Sequence, residues 1–336
     1  MTPAVHHVDL ATLLRDGELP GPLVAVDLDG VDWLRLEEYD ARLATLLAHP
    51  ARPVVVGVAH DSLPPHAGGV LAHLDCTLGD GPAPWCAGSA ADLATVAQTV
   101  AAAPLAAQTL GQVLRLTERA GLDEGLTVES LAYSLLLAGP EFRAWREATP
   151  RRPVPDVADP VLLERTGDAL SVTLNRPERR NAFGRAVRDG LLDALELAAL
   201  DPSIAEVVVS GAGPSYCSGG DLDEFGSTEP ALAHLVRLER SPGRAVSALG
   251  DRVRFVLHGA CVGAGIEVPA FAGRVVARPD TTMWLPELRM GLIPGAGGTV
   301  SVTRRIGRWR TAWLALTGHP LDALTAHAWG LVDELA

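Results

Sequence analysis

The feature that most restricts the fold of this 336-residue chain is a strand–helix–strand plan that occurs twice. In the first occurrence LVAVDL (residues 23–28) leads through EEYDARLATLLAHP (37–50) to RPVVVGVAH (52–60). In the second, ALSVTL (169–174) leads through RAVRDGLLDALELAALDP (185–202) to EVVVSGAG (206–213). Short apolar strands alternating with amphipathic helices predict an α/β fold with largely parallel pairing. The repeat reads as an internal duplication whose first copy has degenerated. Two unrelated α/β units give the same pattern, and the pattern alone does not separate them.

Between the two occurrences, residues 90–148 carry apolar side chains at helical spacing in TLGQVLRL and VESLAYSLLLAG, with breaks expected at Pro104, Gly121 and Pro140. TPRRPVPDVADP (149–160), with four prolines, then reads as a stiff linker. It divides the chain into residues 1–154 and 155–336. The remainder alternates strands with glycine-rich turns up to a helix near the end.

Composition excludes several classes of function. A net charge of −13 and no basic run argue against a nucleic-acid partner. The absence of any long uncharged apolar run argues against a membrane span, and the start lacks the pattern of a signal peptide, so a cytoplasmic protein is expected. Cys76, Cys86, Cys217 and Cys261 lack the spacing of a metal knuckle or disulfide framework; reduced, buried thiols and no metal site are expected. Every one of the 28 basic residues is arginine, which excludes Schiff-base chemistry on a protein lysine.

Four segments of the second half carry chemistry. SYCSGGDLDEF (215–225) follows an apolar strand, and Gly219 and Gly220 allow a backbone N–H to approach an anionic oxygen; an ordinary βα turn fits equally well. RFVLHGACVGAGIEV (254–268) runs from a strand into a helix starting near Ala264, with Glu267 in its first turn, either as a functional carboxylate or as a favourable first-turn acid. WLPELRMGLIPGAGGT (284–299) places Glu287 at the start of a short helix, and its glycine loop lacks the lysine of a nucleotide-binding P-loop. NRPERRNAF (175–183) gathers Arg176, Arg179 and Arg180 at a strand end, to meet phosphates or to solvate a turn.

In this order and spacing, the four segments resemble the enoyl-CoA hydratase/isomerase, or crotonase, family over about residues 160–336. The resemblance implies a crotonase-like ββα spiral core, preceded here by a degenerate α/β unit with a helical segment. It implies an oxyanion hole from the N–H groups of Gly220 and Ala264, the latter where the family usually has glycine. Glu267 and Glu287 fall on the two glutamates of the hydratases: Glu287 is assigned the Cα proton transfer and Glu267 the water. The Ser218 carbonyl would meet the adenine, and Arg179 or Arg180 the phosphates, of a coenzyme A carried by the substrate rather than held as a cofactor. The implied substrate is an acyl-CoA, or the same thioester on an acyl carrier protein, and the implied assembly is a homo-oligomer, trimer or hexamer.

Departures from the family pattern keep other activities open. Pro269 and Gly273 shorten or kink the helix after Glu267. Trp284 and Leu285 either reshape the acyl pocket or pack. The helical tail that closes family active sites does not follow GLVDELA, yet residues 90–148, with their PEFRAW segment, resemble that tail. The expectation is that the first half has lost its catalytic loop and kept its tail as a cover for the second half's site, within the chain or in a neighbouring subunit. The leading activity is enoyl-CoA hydration or dehydration. The alternatives are a decarboxylase, thioester hydrolase or cofactor-free oxygenase on the same oxyanion hole, or a non-catalytic acyl-CoA-binding partner subunit.

Overall fold

The computed structural model describes residues 5–154 and 157–336. The boundary expected at residue 155 lies outside them. The N-terminal half is built on a five-stranded parallel sheet in the order β1 (Val5–Asp9), β2 (Leu23–Asp27), β3 (Val54–Val58), β4 (Cys76–Leu78), β5 (Cys86–Ala87). All five residues of β3 are buried because the sheet is covered on both sides. Val55 joins a small core with α1 (Leu10–Asp16), α2 (Leu36–Leu46) and α3 (Gly68–Leu71). Val54 and Val56, one residue away on the opposite face, join a core that runs on into the C-terminal half.

The stretch 90–148 folds as four helices: α4 (Leu93–Ala102), α5 (Pro104–Thr117), α6 (Leu122–Leu137) and α7 (Pro140–Ala148). Their breaks fall where expected. Pro104 and Pro140 occupy first helical positions, where a missing N–H costs nothing, and Gly121 is the N-cap of α6. Among the described residues no single helix is long and apolar enough to span a membrane. The linker is docked rather than free: Arg151 donates to the Phe225 carbonyl at 2.8 Å and the Arg152 N–H to Asp223 at 2.9 Å.

In the C-terminal half, β6 (Val161–Thr166) and β7 (Ala169–Leu174) form an antiparallel hairpin, followed by α8 (Arg185–Leu200), β8 (Glu206–Gly211), α9 (Pro230–Glu239) and α10 (Pro242–Leu249). β9 (Val253–Leu257), β10 (Ala260–Val262), α11 (Ala264–Glu267), β11 (Arg274–Ala277) and β12 (Thr282–Trp284) come next. The chain ends with α12 (Gly298–Ile306), α13 (Arg308–Thr317), β13 (Leu321–Asp322), α14 (Ala323–Trp329) and β14 (Glu334–Leu335). A six-stranded sheet runs β14-β11-β9-β8-β7-β6, parallel except for the hairpin, beside a three-stranded sheet β10-β12-β13. Both strand–helix–strand units therefore form as expected, with β2 beside β3 and β7 beside β8 in parallel register.

One expectation needs correction: three helices close the chain rather than one. α13 is buried on nearly every side and so lacks the polar stripe that reveals a helix by its period, and α12 buries Thr299, Ser301 and Thr303 among its apolar residues. Their burial comes from the N-terminal half. Arg308 of α13 pairs with Glu118 at 3.1 Å and donates to the Leu74 carbonyl at 2.9 Å, and Trp313 Nε1–H donates to Asp92 at 3.0 Å. Thr117 Oγ1 donates to the Thr299 carbonyl at 2.7 Å. Helices 90–148 thus cover the second half within one chain.

Candidate active site

The turn after β7 orders the first part of the site. Asn181, buried and left-handed at φ 54°, accepts the Arg176 N–H at 2.8 Å and donates to the carbonyls of Ala212 and Ser215 at 2.8 and 2.9 Å. It ties NRPERRNAF to the glycine loop after β8. Phe183 N–H donates to the Gly219 carbonyl at 2.7 Å, and its carbonyl accepts from Asp221 at 3.3 Å. In such a parallel bridge both bonds belong to Phe183, so the N–H of the opposing Gly220 is left out of the pairing. Gly219 sits at φ 89° with its Cβ position 3.0 Å from the Val262 carbonyl, so a side chain there would be both strained and crowded.

Ala264 opens α11, so its N–H belongs to the first turn and has no partner within the helix. The helix lasts four residues before Pro269 begins a 3-10 turn, in line with the expected interruption. Glu267 closes α11, buried; Ala296 and Gly298 N–H groups donate to its Oε2 at 2.7 and 2.9 Å. Glu287 begins a 3-10 turn after Pro286, also buried, and its Oε2 has no hydrogen-bond partner among the described residues. The two carboxylates meet at Gly263 (φ 49°): a Cβ there would collide with Glu287 Oε1 and lie 3.7 Å from Glu267 Oε1.

A cavity of about 510 Å³ collects these groups: Gly220, Ala264, Glu267 and Glu287 all line it. Burial, helped by the nearby Glu129 carboxyl, pushes the Glu287 carboxyl up to about 8. Glu267 is pushed well above the carboxylate range by burial and then by Glu287 and Glu129, against the two N–H donors on its oxygen.

Ser218, Arg179 and Arg180 are not among the residues lining this cavity. Arg179 is held through Nη2 by Asp221, at 2.9 Å, and by Asp223, so two internal carboxylates balance its charge. Arg176 also pairs with Asp221, at 3.2 Å and fully buried. These ion pairs brace the loop that bears Gly220. Arg180 is exposed, and its carbonyl accepts from the Ser218 N–H at 2.9 Å. Trp284 and Leu285 also lie outside the lining: Leu285 is core, and the Trp284 carbonyl accepts from Gly263 N–H at 3.0 Å.

The cavity contains residues that sequence reasoning missed. Glu129 and Tyr133 of α6 and Arg237 of α9 line it. Glu129 accepts from Gly297 N–H at 2.7 Å, Thr299 N–H at 2.9 Å and Thr299 Oγ1–H at 2.7 Å. Burial raises it to about 7 against those bonds. A signal existed: Leu126, Glu129 and Tyr133 share one helical stripe, and a carboxylate on an otherwise apolar stripe needs donors.

The family model for enoyl-CoA hydratase/isomerase matches residues 164–336. The chain is 32% identical over 175 residues to 2,3-dehydroadipyl-CoA hydratase of Escherichia coli, covering 52% of this chain and 68% of that protein. It is 33% identical over 171 residues to 1,2-epoxyphenylacetyl-CoA isomerase of the same organism, covering 49% and 65%. A solved enoyl-CoA hydratase from Thermoplasma volcanium superposes with a TM-score of 0.50 at 32% identity, covering 53% of this chain and 71% of the other. The chain therefore spans about two thirds of the length of these relatives, all through its C-terminal half. With this match over half its length and the four family segments folded around one cavity, the chain belongs to the enoyl-CoA hydratase/isomerase family of the crotonase superfamily.

Proposed function

We infer that this chain acts on an acyl-CoA thioester by enolate chemistry, and that its reaction is hydration of an enoyl thioester or the reverse. The observation that carries this reading is the meeting of Glu267 and Glu287 at Gly263, in the cavity that also takes Gly220 and Ala264. The N–H groups of Gly220 and Ala264 hold the thioester oxygen as it gains charge. Glu267, whose Oε2 accepts two amide N–H groups, takes a proton from water as the water oxygen bonds to C3. Burial raises both carboxyls of the pair, and the reacting form holds one proton: it sits on Glu287, which delivers it to C2, while the two N–H donors on Glu267 Oε2 favour the charged form of Glu267. The product is the 3-hydroxyacyl thioester, and a proton returning from Glu267 to Glu287 resets the pair.

Exposed Arg180, beside Ser218, is the arginine of this proposal for the phosphates of coenzyme A; the occupied Arg179 is not. The N-terminal sheet with helices 90–148 is read as the degenerate copy, its helices serving as the cover of the site. Incubation with crotonyl-CoA followed by mass spectrometry tests the reaction. Gain of one water, lost in Glu287→Gln with the fold intact, is the expected result. Loss of carbon dioxide, gain of oxygen, free coenzyme A or no turnover on a panel of thioesters would each replace this reading.

A further inference from the structure

Four arginines line the cavity, and three have an evident place: Arg188 and Arg240 both pair with Asp189, at 2.9 and 3.3 Å, and Arg185 is exposed. Arg237 differs. It is half-buried, and among the described residues no carboxylate lies within ion-pair distance of it. Its Nε–H donates to Ser130 Oγ at 3.1 Å, and Nη2 donates to the Ser130 carbonyl at 3.0 Å and to Ser134 Oγ. Ser134 gives its own proton to the Pro230 carbonyl, and Ser130 Oγ meets His234 of α9 at its carbonyl, 3.3 Å, and its Nδ1, 3.0 Å, while both hydroxyl oxygens accept from the guanidinium. The Tyr133 ring supports it from one face at 4.6 Å.

A guanidinium has five N–H groups, and these bonds use those on Nε and Nη2. The two on Nη1 donate to no protein acceptor among the described residues. Glu129, a turn away on α6, has both carboxylate oxygens engaged by Gly297 and Thr299. The arginine is thus oriented by neutral oxygens at the wall of the cavity, half-buried and with no carboxylate in direct ion-pair contact among the described residues. An anion entering the cavity would complete its hydrogen bonding. Leu126, Leu137, Phe225 and Val236 supply apolar lining in the same cavity, suited to methylene groups.

Resting on the acyl-thioester reading above, we propose that Arg237 receives a carboxylate at the far end of the substrate's acyl chain, so that the preferred substrates are ω-carboxyacyl thioesters. The methylenes cross the apolar lining while the thioester lies at Gly220 and Ala264. A terminal carboxylate accepts both Nη1 N–H groups, the neutral methyl ester cannot supply the charge, and Glu267 and Glu287 act at the reacting end.

The test compares kcat/KM of the intact protein on 2-enoyl-CoA substrates bearing a terminal carboxylate with that on their methyl esters, over a series of chain lengths. The expected preference for the acid at the best length is about ten- to a hundredfold, from the worth of a charge-assisted hydrogen bond. In Arg237→Gln the preference should collapse, and in Arg237→Lys part of it should remain. Equal use of acid and ester by the wild-type protein overturns the proposal, as does a preference that survives in Arg237→Gln. So does an equal loss of affinity for free coenzyme A in Arg237→Gln, which would assign the arginine to a phosphate. If no thioester is turned over, the functional reading fails. Calorimetric binding of the saturated acid and ester thioesters still decides the Arg237 proposal, as it does if the variants do not fold.

Discussion

Glu129 and Glu267 divide four successive backbone amides between them: Ala296 and Gly298 donate to Glu267, and Gly297 and Thr299 to Glu129. One carboxylate comes from the first half of the chain and the other from the second. The strip 296–299 therefore takes its position from both sides at once.

Replacing Glu129 by Gln keeps the volume but leaves only one acceptor oxygen, so an NH2 group must face Gly297 or Thr299 N–H. An unsatisfied buried donor costs about 1–3 kcal/mol. Glu129→Gln should lower the thermal midpoint and cut kcat by about ten- to a hundredfold through Glu267, by the same energy scale. Thr299→Val, which removes only the hydroxyl bond, should lose less. Thermal melts and steady-state rates on one acyl-CoA check both.

The pH dependence follows from Glu287 and Glu129, raised from an ordinary 4.5 to about 8 and about 7. Hydration needs one proton on the Glu267–Glu287 pair, so kcat should rise as the pair loses its first proton near pH 8 and fall again once the second leaves. Stability moves one way only. A carboxyl raised on folding contributes stability that is full below its unfolded value and lost as pH climbs to its folded value, about 1.4 kcal/mol for each tenfold gain in proton affinity. The thermal midpoint should decline between pH 4.5 and about 8, and Glu287→Gln should flatten that decline. A midpoint that rises over that interval would contradict the buried neutral carboxyl.

Ala264→Pro removes one proposed oxyanion donor with little disturbance, since proline is tolerated at a first helical position. Loss of such a donor costs about 2.7–4 kcal/mol in the transition state, a fall in kcat of about 10²–10³. Circular dichroism should match the parent protein. Retained kcat would remove Ala264 from the oxyanion hole.

Deleting residues 1–150 strips Glu129 and Tyr133 from the cavity and uncovers α12 and α13. The remainder should aggregate or be inactive. A soluble, fully active product would refute the covering role of helices 90–148.

That Gly220, Ala264, Glu267 and Glu287 would come to one cavity was legible because the segments that bear them carry their glycines and prolines in the order of the family pattern. The strand–helix–strand units were legible through their periods. The pairing of Arg179 was not legible because its partners, Asp221 and Asp223, lie more than forty residues further on, and charge pairing over that span leaves no local mark. Arg237 escaped for the same reason, since its place depends on α6 packing against α9; Glu129 bears a local mark on its apolar stripe, but its donors lie in the distant loop before α12 and in the first turn of that helix. α13 escaped because burial on nearly every side erases its period, and α12 because its buried Thr299, Ser301 and Thr303 read as polar.

The covering of the site by α6 also sets an order of events on the ribosome. Domains emerge N-terminus first, so residues 90–148 leave the exit tunnel before the strip 296–299 exists. Until then Glu129 has none of its three donors, and the apolar faces of α5 and α6 have no α12 to rest on. Nascent chains paused short of residue 299 should therefore expose these helices to chaperones, and release of the final segment should quench that binding in one step.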